Sequence, residues 1–465
     1  MKVTGFKSHP YIPNSAPGTE QEMLKEIGLT SLEQLHAEVP KDLILTDSMN
    51  LPSAFESEYE LRRHVEKILD KNKSCHENLN FLGAGCWQHY VPAVCDEING
   101  RGEFLTAYGG ESYNDFGRFQ SLFEYQSLMA ELVDMEVVNV PTMDYSQAAA
   151  TAIRMAARVA GRNKVLVSGS VDPEKLAVIK NYCDSDLEII SLKLDEATGC
   201  IDVNDCIARL DDTVGVVYFE NPNYLGALEV CAEQIAAAAH QVGAQCVVGV
   251  DPISLGILEP PHSYGADIVC GDLQPLGIHM NYGGGQSGFM ATMDDPKYVL
   301  EFPSRLFGIC ATEMPGEYAF GDVAYDRTSF GHLREKAKEY VGTQSALWGI
   351  TAGAYLALMG PVGMKEVGET ILQQAQYAAA KIAEIPNVSL KWRTPFFKEF
   401  VVDFSKTGKS VSEINKALLE YNIFGGKDLS KDFPMLGQCA MYCVTEIHTK
   451  EDLDYLVSSL KKILT

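Results

Sequence analysis

The chain is short of positive charge: 38 Lys and Arg stand against 63 Asp and Glu in 465 residues, a formal net charge of −25. Nucleic-acid backbones and anionic lipid surfaces are gripped by clustered Lys and Arg, so neither nucleic acid nor a membrane surface is expected as the main partner. The plain consequence of such a surplus is solubility. The spacings of metal and redox chemistry are missing as well. The 12 Cys form no CxxC pair, and the ten His include no HExxH and no other close pair, so no metal centre is expected. Cys439 and Cys443 would share a face if their segment were helical, but no His or third Cys completes a ligand set. Scattered thiols in a chain of this size read as reduced and mostly buried. Residues 1–10 show neither an apolar leader core nor a small-residue cleavage site, so a cytoplasmic location is expected.

Long, strongly apolar runs are also lacking. The nearest is Ser345–Met364, 20 residues without a charge. Its Gly, Thr and Pro content and the close flanks Lys338, Glu339, Lys365 and Glu366 predict a buried helix rather than a span. No Gly-rich dinucleotide fingerprint follows any predicted strand, and there is no internal repeat or low-complexity run. What is present is ordinary globular composition, 46% hydrophobic and 22% charged.

An N-terminal helical segment comes first. Thr19 with Glu22 and Thr30 with Glu33 have capping-box spacing, and a longer charged helix is predicted near Ser57–Lys71. An irregular stretch rich in Gly and aromatics runs from Phe81 to Gly117. From Gln120 to Ile268 helical patterns alternate with short apolar runs: Lys164–Ser168, Leu187–Leu192, Val214–Phe219, Cys246–Asp251 and Ile268–Gly271. Helical patterns such as Pro173–Cys183 and Cys231–Val242 lie between them. This alternation predicts an α/β fold with a mostly parallel sheet. Ligands of such sheets sit beyond the carboxyl ends of strands, which points to Asn221, Asp251 and Asp272. After the Gly-rich Tyr282–Gly288 an irregular region runs to about Phe330, then a long helical tract over Leu333–Ile385. A small α+β region ends the chain. The expected division is 1–80 helical extension, 81–335 large domain and 336–465 small C-terminal domain.

Asp251 at a strand end, followed by the turn from Asp272 to Gly285, has the skeleton of a fold-type-I pyridoxal-phosphate enzyme. There, the first position pairs with the pyridinium nitrogen, and a Lys shortly before a Gly-rich segment forms the Schiff base. The position seven before Gly283 is Leu276, and the nearest lysines are Lys193 and Lys297. A phosphate cradle needs small residues at a helix N-terminus. The helix after Pro141 opens with Met143-Asp-Tyr-Ser-Gln-Ala148, where Asp144 or Ser146 is the cap, and Tyr145 and Gln147 make a poor cradle. Two working parts of the class are therefore missing.

Further motifs fall in order along the chain: Tyr11–Asn14, Phe81–Gly85, His89–Ala93, Leu122–Gln126, Asn221–Gly226, Asp251–Gly256, Tyr264–Asp267, Gln274–Gly277, Arg334–Lys336 and Leu356–Gly363. Together they resemble the alpha subunit of the two-subunit glycine decarboxylase, the P-protein of the glycine cleavage system. In that family the alpha chain lacks the Schiff-base Lys, and a homologous beta subunit carries pyridoxal 5'-phosphate at a shared active site. The resemblance thus accounts for Leu276. It implies decarboxylation of glycine and transfer of the remaining aminomethyl group to a lipoyl carrier. Gly109–Gly117, Asp144–Ala148 and Lys338–Tyr340 depart from the family's usual segments, so the expected substrate is glycine or a related small amino acid. A non-catalytic scaffold or regulatory chain with a decayed site is the alternative. His89, Tyr108 and Tyr113 are the candidates for reaching the shared site. Arg305, Arg327 and Arg334 are the candidates for holding the cofactor phosphate or a substrate carboxylate. Asn221 and Asn223 are expected to shape a turn, Glu335 and Lys336 to form an ion pair, and Asp251 to be structural.

Overall fold

The alternating apolar and amphipathic stretches in the middle of the chain build one large sheet. A computed structural model describes residues 11–12, 18–45, 47, 49–105, 116–284, 286–323, 338–339 and 345–464. The chain divides into two units, Met1–Lys73 and Ser74–Thr465.

The first unit carries helices α1 (Thr19–Glu26) and α2 (Glu58–Leu69), with tight turns at Leu32–His36 and Lys41–Leu43. Its caps differ from the sequence expectation. Gly18, with φ of 98°, precedes α1 in place of a capping Thr19. The capping box forms at Ser31 and Gln34, one step on from Thr30 and Glu33. The amide side chain of Gln34 accepts from the backbone N–H groups of Thr30 at 2.6 Å and Ser31 at 3.2 Å, which fixes that register. Ser57 caps α2, accepting from the Glu60 amide at 3.4 Å.

The second unit opens with β1 (Leu79–Asn80), α3 (Ala93–Asn99), α4 (Gly102–Leu105) and α5 (Phe116–Val133). Next come β2 (Val137–Val138), α6 (Tyr145–Ala160), β3 (Lys164–Val167), α7 (Pro173–Cys183), β4 (Glu188–Ser191), α8 (Val203–Arg209) and β5 (Val214–Glu220). They are followed by α9 (Ala232–Gln241), β6 (Gln245–Val250), β7 (Ile268–Asp272), β8 (Gly288–Thr292) and α10 (Pro296–Val299). A hairpin of β9 (Phe307–Ala311) and β10 (Tyr318–Asp322) precedes α11 (Ala346–Ala383). Last are β11 (Ser389–Leu390), β12 (Glu399–Asp403), α12 (Val411–Leu418), β13 (Ile423–Phe424), β14 (Lys427–Asp428), β15 (Cys439–Cys443) and α13 (Lys450–Leu464).

The large sheet has seven strands in the order β2-β8-β7-β6-β5-β3-β4. From β4 across to β7 the pairing is parallel, and β8 and β2 form an antiparallel edge. Val, Cys and Phe on both faces of β5 and β6 bury those strands almost completely, because helices cover both sides. Ala149, Ile153 and Ile179 from α6 and α7 fill one side; Tyr125, Ile235 and Ala352 from α5, α9 and α11 fill the other. Neighbours of β3 run one way to β4 and the other way to β5, so strand order reverses there and opens a crevice at the carboxyl ends.

The C-terminal sheet, β11-β12-β15-β14, is antiparallel. Phe400, Val402 and Tyr442 of its strands pack with Ile414, Leu418, Leu456 and Leu460 of α12 and α13. Cys439 and Cys443 lie in β15 rather than a helix, both buried. Four residues along a strand separate them by about 13 Å, too far to share a metal.

Two stretches expected to be irregular carry structure, including α3, α4 and the β9–β10 hairpin. Tertiary contacts hold these short pieces: Cys95 of α3 is buried in the main core, and Phe307 of β9 lies 5.0 Å from the Phe119 ring. The predicted helical tract over Leu333–Ile385 is described as helix from Ala346, and it breaks at Gly360, where φ is 58° ahead of Pro361. By length and composition α11 is apolar enough to cross a membrane. Its first half nevertheless packs on α5, as the sequence predicts for a core helix. A Cβ at Gly353 would stand 3.2 Å from the Tyr125 Cα, so the missing side chain sets the helix separation.

Gly226 couples the large sheet to the small one. It has φ of 87°, and a Cβ there would overlap the Glu399 carbonyl oxygen well inside van der Waals contact. Gly226→Ala should lower unfolding free energy by more than about 2 kcal/mol in urea titrations. Gly308→Ala in β9, where the nearest atom is 3.5 Å away, should change it far less.

Candidate functional site

At the carboxyl ends of β5, β6 and β7 the chain sets three carboxylates, Glu220, Asp251 and Asp272, and it places its own donors or cations beside each. Asp251 caps the turn that follows β6, accepting from the Ile253 amide at 3.1 Å. Its second oxygen lies 2.7 Å from Nζ of Lys398, which enters from the residue before β12 and is 3% exposed. The ammonium also sits 3.6 Å over the Trp87 ring and 3.2 Å from Nε2 of His89. A lysine ammonium can only donate, so Nε2 of His89 accepts and the ring proton is on Nδ1. That proton points to Glu446 at 2.8 Å, whose other oxygen accepts from the Tyr90 amide at 2.7 Å. Burial alone would raise the Glu446 carboxyl; His89 and the Tyr90 amide outweigh it and hold that group below the usual carboxylate range.

A second buried pair closes the crevice where strand order reverses. Lys175 of α7 meets Glu220 at 2.6 Å and stands 3.4 Å over the Tyr145 ring. The Tyr218 hydroxyl donates to the same Glu220 oxygen at 2.7 Å. Burial pushes the Tyr145 and Tyr218 hydroxyls well above their ordinary range. Asp272 accepts from the amides of Gln274 at 2.8 Å and Ser287 at 3.4 Å. Burial outweighs those bonds and pushes its carboxyl up to about 7. Gln274 in turn exchanges hydrogen bonds with both backbone groups of Trp87, at 3.1 and 2.9 Å. Leu276 is fully buried in this turn. At the start of α6, Asp144 accepts from the Gln147 amide at 2.7 Å, and the Gln147 side chain accepts from the Met143 amide at 2.9 Å.

These residues do not fit pyridoxal phosphate. Such a cofactor needs a carboxylate free for its ring nitrogen, a Lys for its aldehyde and an open helix N-terminus for its phosphate. Here Lys398 holds Asp251, Leu276 stands where the Lys belongs, and the Asp144 carboxylate sits on the helix N-terminus. The cavity left among Trp87, Tyr145, Lys175, Glu220, Asp251 and Lys398 is about 30 Å³, room for a water or two. Ligand pockets start near 300 Å³.

Of the residues singled out from sequence, His89 lies inside this network. Arg305 is elsewhere: it pairs with Asp322 at 3.3 Å, and its carbonyl accepts from Val140 beside the antiparallel edge. Tyr108, Tyr113, Arg327, Arg334, Glu335 and Lys336 lie outside the described residues. Asn223 Oδ1 accepts from the amides of Leu225 at 3.0 Å and Ala227 at 3.1 Å, and Asn221 Oδ1 accepts from that of Glu229 at 3.1 Å, so both build the turn. Glu339, in the divergent Lys338–Tyr340 segment, binds Arg154 at 2.8 Å and Arg158 at 3.0 Å along α6, away from its N-terminus. Sequence reasoning missed Lys398, Glu446, Lys175 and Glu220. The one available signal was the charged pair Lys398-Glu399 inside the apolar run Phe396–Phe404.

A family described as glycine cleavage system P-protein matches residues 9–460. The probable glycine dehydrogenase (decarboxylating) subunit 1 of Staphylothermus marinus is 37% identical over 466 residues, covering 98% of each chain. The protein of the same name from Pyrococcus abyssi is 40% identical over 463 residues, covering 98% of this chain and 99% of its own. Among solved structures, an inhibitor-bound glycine decarboxylase (P-protein) of the glycine cleavage system superposes with a TM-score of 0.84 at 34% identity, covering 98% of this chain and 100% of that one. A sphingosine-1-phosphate lyase of Burkholderia pseudomallei shares the fold alone, with a TM-score of 0.64 at 13% identity over 90% of this chain and 92% of its own. The architecture is that of fold-type-I pyridoxal-phosphate enzymes.

Two measurements probe the network. Lys398→Met strands the Asp251 carboxylate in a buried site and should cost about 3–5 kcal/mol in urea unfolding; adding Asp251→Asn should recover at least half. Asp272 has a folded pKa above its unfolded one, so its contribution is full below about pH 4 and is lost as pH rises through about 7. The stability of Asp272→Asn relative to wild type should therefore rise across that window, by up to about 1.4 kcal/mol per pH unit. Chemical unfolding at pH 4.5, 6 and 7.5 checks the sign.

Proposed function

The chain belongs to the glycine cleavage system P-protein family, and from that premise we propose that it is subunit 1 of a two-subunit glycine dehydrogenase (decarboxylating), active only beside its partner subunit. The observation that carries this is the occupation of all three cofactor handles by the chain's own residues: Lys398 on Asp251, Leu276 in the turn and Asp144 on the α6 N-terminus. A chain that keeps the sheet of a pyridoxal-phosphate enzyme and fills the cofactor's place with side chains supplies walls rather than chemistry.

Pyridoxal 5'-phosphate is accordingly assigned to a homologous beta subunit, and the active site to the interface between the two. Glycine is the substrate; it loses CO2, and the aminomethyl group that remains goes to a lipoyl carrier. His89 serves as a positioning residue, since both ring nitrogens are engaged, and its partner Glu446 holds the amide of Tyr90, 66% exposed, at the surface. Tyr108 and Tyr113 are the proposed contacts across the shared site, and Arg327 and Arg334 the proposed anchors for a phosphate or carboxylate; Arg305, engaged with Asp322, is the weaker third candidate. The enzyme is soluble and cytoplasmic. A related small amino acid is the second candidate substrate, favoured by Asp144–Ala148, which departs from the family's usual segment at the α6 N-terminus.

Carboxyl-labelled glycine, supplied to the chain, its partner and a lipoyl carrier, should release labelled CO2 only when both subunits are present, and faster than alanine or serine does. Release by the partner alone at the full rate would reduce this chain to a scaffold. Faster turnover of another small amino acid would move the substrate assignment to that compound.

A further inference from the structure

The small C-terminal sheet is fastened to the large one at several separate points. In the turn after β5 the Leu228 amide donates to the Pro395 carbonyl at 2.8 Å, beside an antiparallel bridge between Ala227 and Phe396. The turn after β4 takes two more hydrogen bonds. Trp392 Nε1 donates to the Glu196 carbonyl at 3.0 Å, and the Thr394 hydroxyl donates to the Thr198 carbonyl at 2.7 Å. At the end of β6, Asp251 holds Lys398 at 2.7 Å. An apolar seam accompanies these contacts: Tyr224 and Leu225 from the large-sheet side share one core with Trp392, Val401 and Phe433 from the small.

Helix α11 runs through both regions and breaks at Gly360, the place where a hinge between them would form. Beyond the break the helix is still held on the large sheet. A Cβ on Gly256, in the turn after β6, would overlap the Met364 carbonyl oxygen, and one on Gly368 would stand 2.9 Å from the Ile257 side chain. Met364 and Ile371 belong to the main core, and from Ala375 onward the helix joins the core of the small sheet. Packing on the large sheet therefore spans the break.

We infer that the large and small sheets of this chain move as one body, and that opening and closing of the shared site around its substrate is left to the partner subunit. This rests on the two-subunit function proposed above. A site that shuts out water during turnover needs a part that moves. Moving parts are drawn from regions with few buried contacts and solvent-exposed hydrogen bonds. The junction between the two sheets has the opposite character. Parting them would strand the Lys398 ammonium and the Asp251 carboxylate, 3% and 7% exposed, each without its partner. It would also break the bonds at Pro395, Glu196 and Thr198 and open the apolar seam. Interfaces within a chain permit relative motion by default, and an apolar core shared by both sides is what removes that freedom.

Backbone hydrogen exchange of the full chain in complex with its partner, with and without glycine and a lipoyl carrier, tests the inference. Peptides 221–229 and 392–398 should exchange at most about 10-fold faster than 245–250 of β6, and glycine should leave their rates unchanged. Faster exchange of both peptides during turnover would overturn it. A second measurement closes the junction covalently. Ala227→Cys with Phe396→Cys puts two thiols in an antiparallel bridge, where Cα atoms stand about 5 Å apart and a disulfide fits. Closing it with diamide and reopening it with dithiothreitol should change kcat and KM of the complex by less than about twofold, with the unsubstituted chain treated alike. A loss of about 10-fold or more on closing, restored on reopening, would also overturn the inference. The exchange measurement uses the unsubstituted chain, so it decides the question whatever the stability of the cysteine variant. A complex that decarboxylates glycine while both peptides open defeats the one-body inference alone. A complex that releases no CO2 from glycine while both stay protected supports one body and defeats the assignment of glycine decarboxylation.

Discussion

A buried ammonium against a buried carboxylate, Lys398 on Asp251 at 2.7 Å, is the contact on which the strand-end region depends. Neither group has much water to fall back on, at 3% and 7% side-chain exposure, so each is costly without the other. The remaining donors of the ammonium face His89 and the Trp87 ring, which clamps the loop after β1 between the two sheets. Through the Nδ1 proton of His89 the same chain of contacts reaches Glu446 beyond β15. One cation therefore fixes the end of β6, the loop at Trp87–Tyr90, the start of β12 and the turn after β15.

That arrangement satisfies, from within the chain, the strand-end charges of a pyridoxal-phosphate fold. In an open α/β sheet the crevice at the reversal of strand order is where ligands sit, and carboxylates there need a cationic partner. Lys398 and Lys175 meet that need from within the chain, the first on Asp251 and the second on Glu220. Trp87 and Tyr145 cover the two ammonium groups and take up space that a ligand ring would need. The result is a strand-end region filled by the chain's own side chains.

The large sheet was legible because its central strands are buried on both faces. Val214–Phe219 and Cys246–Asp251 read as short apolar runs and fall on β5 and β6, and the helical pattern Pro173–Cys183 is α7. Leu276 and the unsuitable α6 N-terminus were legible as absences at known spacings. The filled site was not. Lys398 belongs to the small sheet and Asp251 to the large one, so their meeting depends on tertiary packing that no local pattern encodes. Lys175 reads as one more polar residue on an amphipathic helix, although its side chain is 8% exposed. Two-residue strands such as Ser389–Leu390 and Lys427–Asp428 have too few residues to show a period. Caps were found to within a residue, and the choice of Gln34 over Glu33 rests on hydrogen-bond geometry alone.

The central claim is that this chain shapes an active site whose cofactor belongs to its partner. Cofactor content tests it most directly. The purified complex, reduced with borohydride and digested, should give one pyridoxyl-lysine peptide per pair of chains, and that peptide should come from the partner subunit. A pyridoxyl group on any lysine of this chain, Lys175 or Lys398 above all, or two cofactors per pair, would contradict the account.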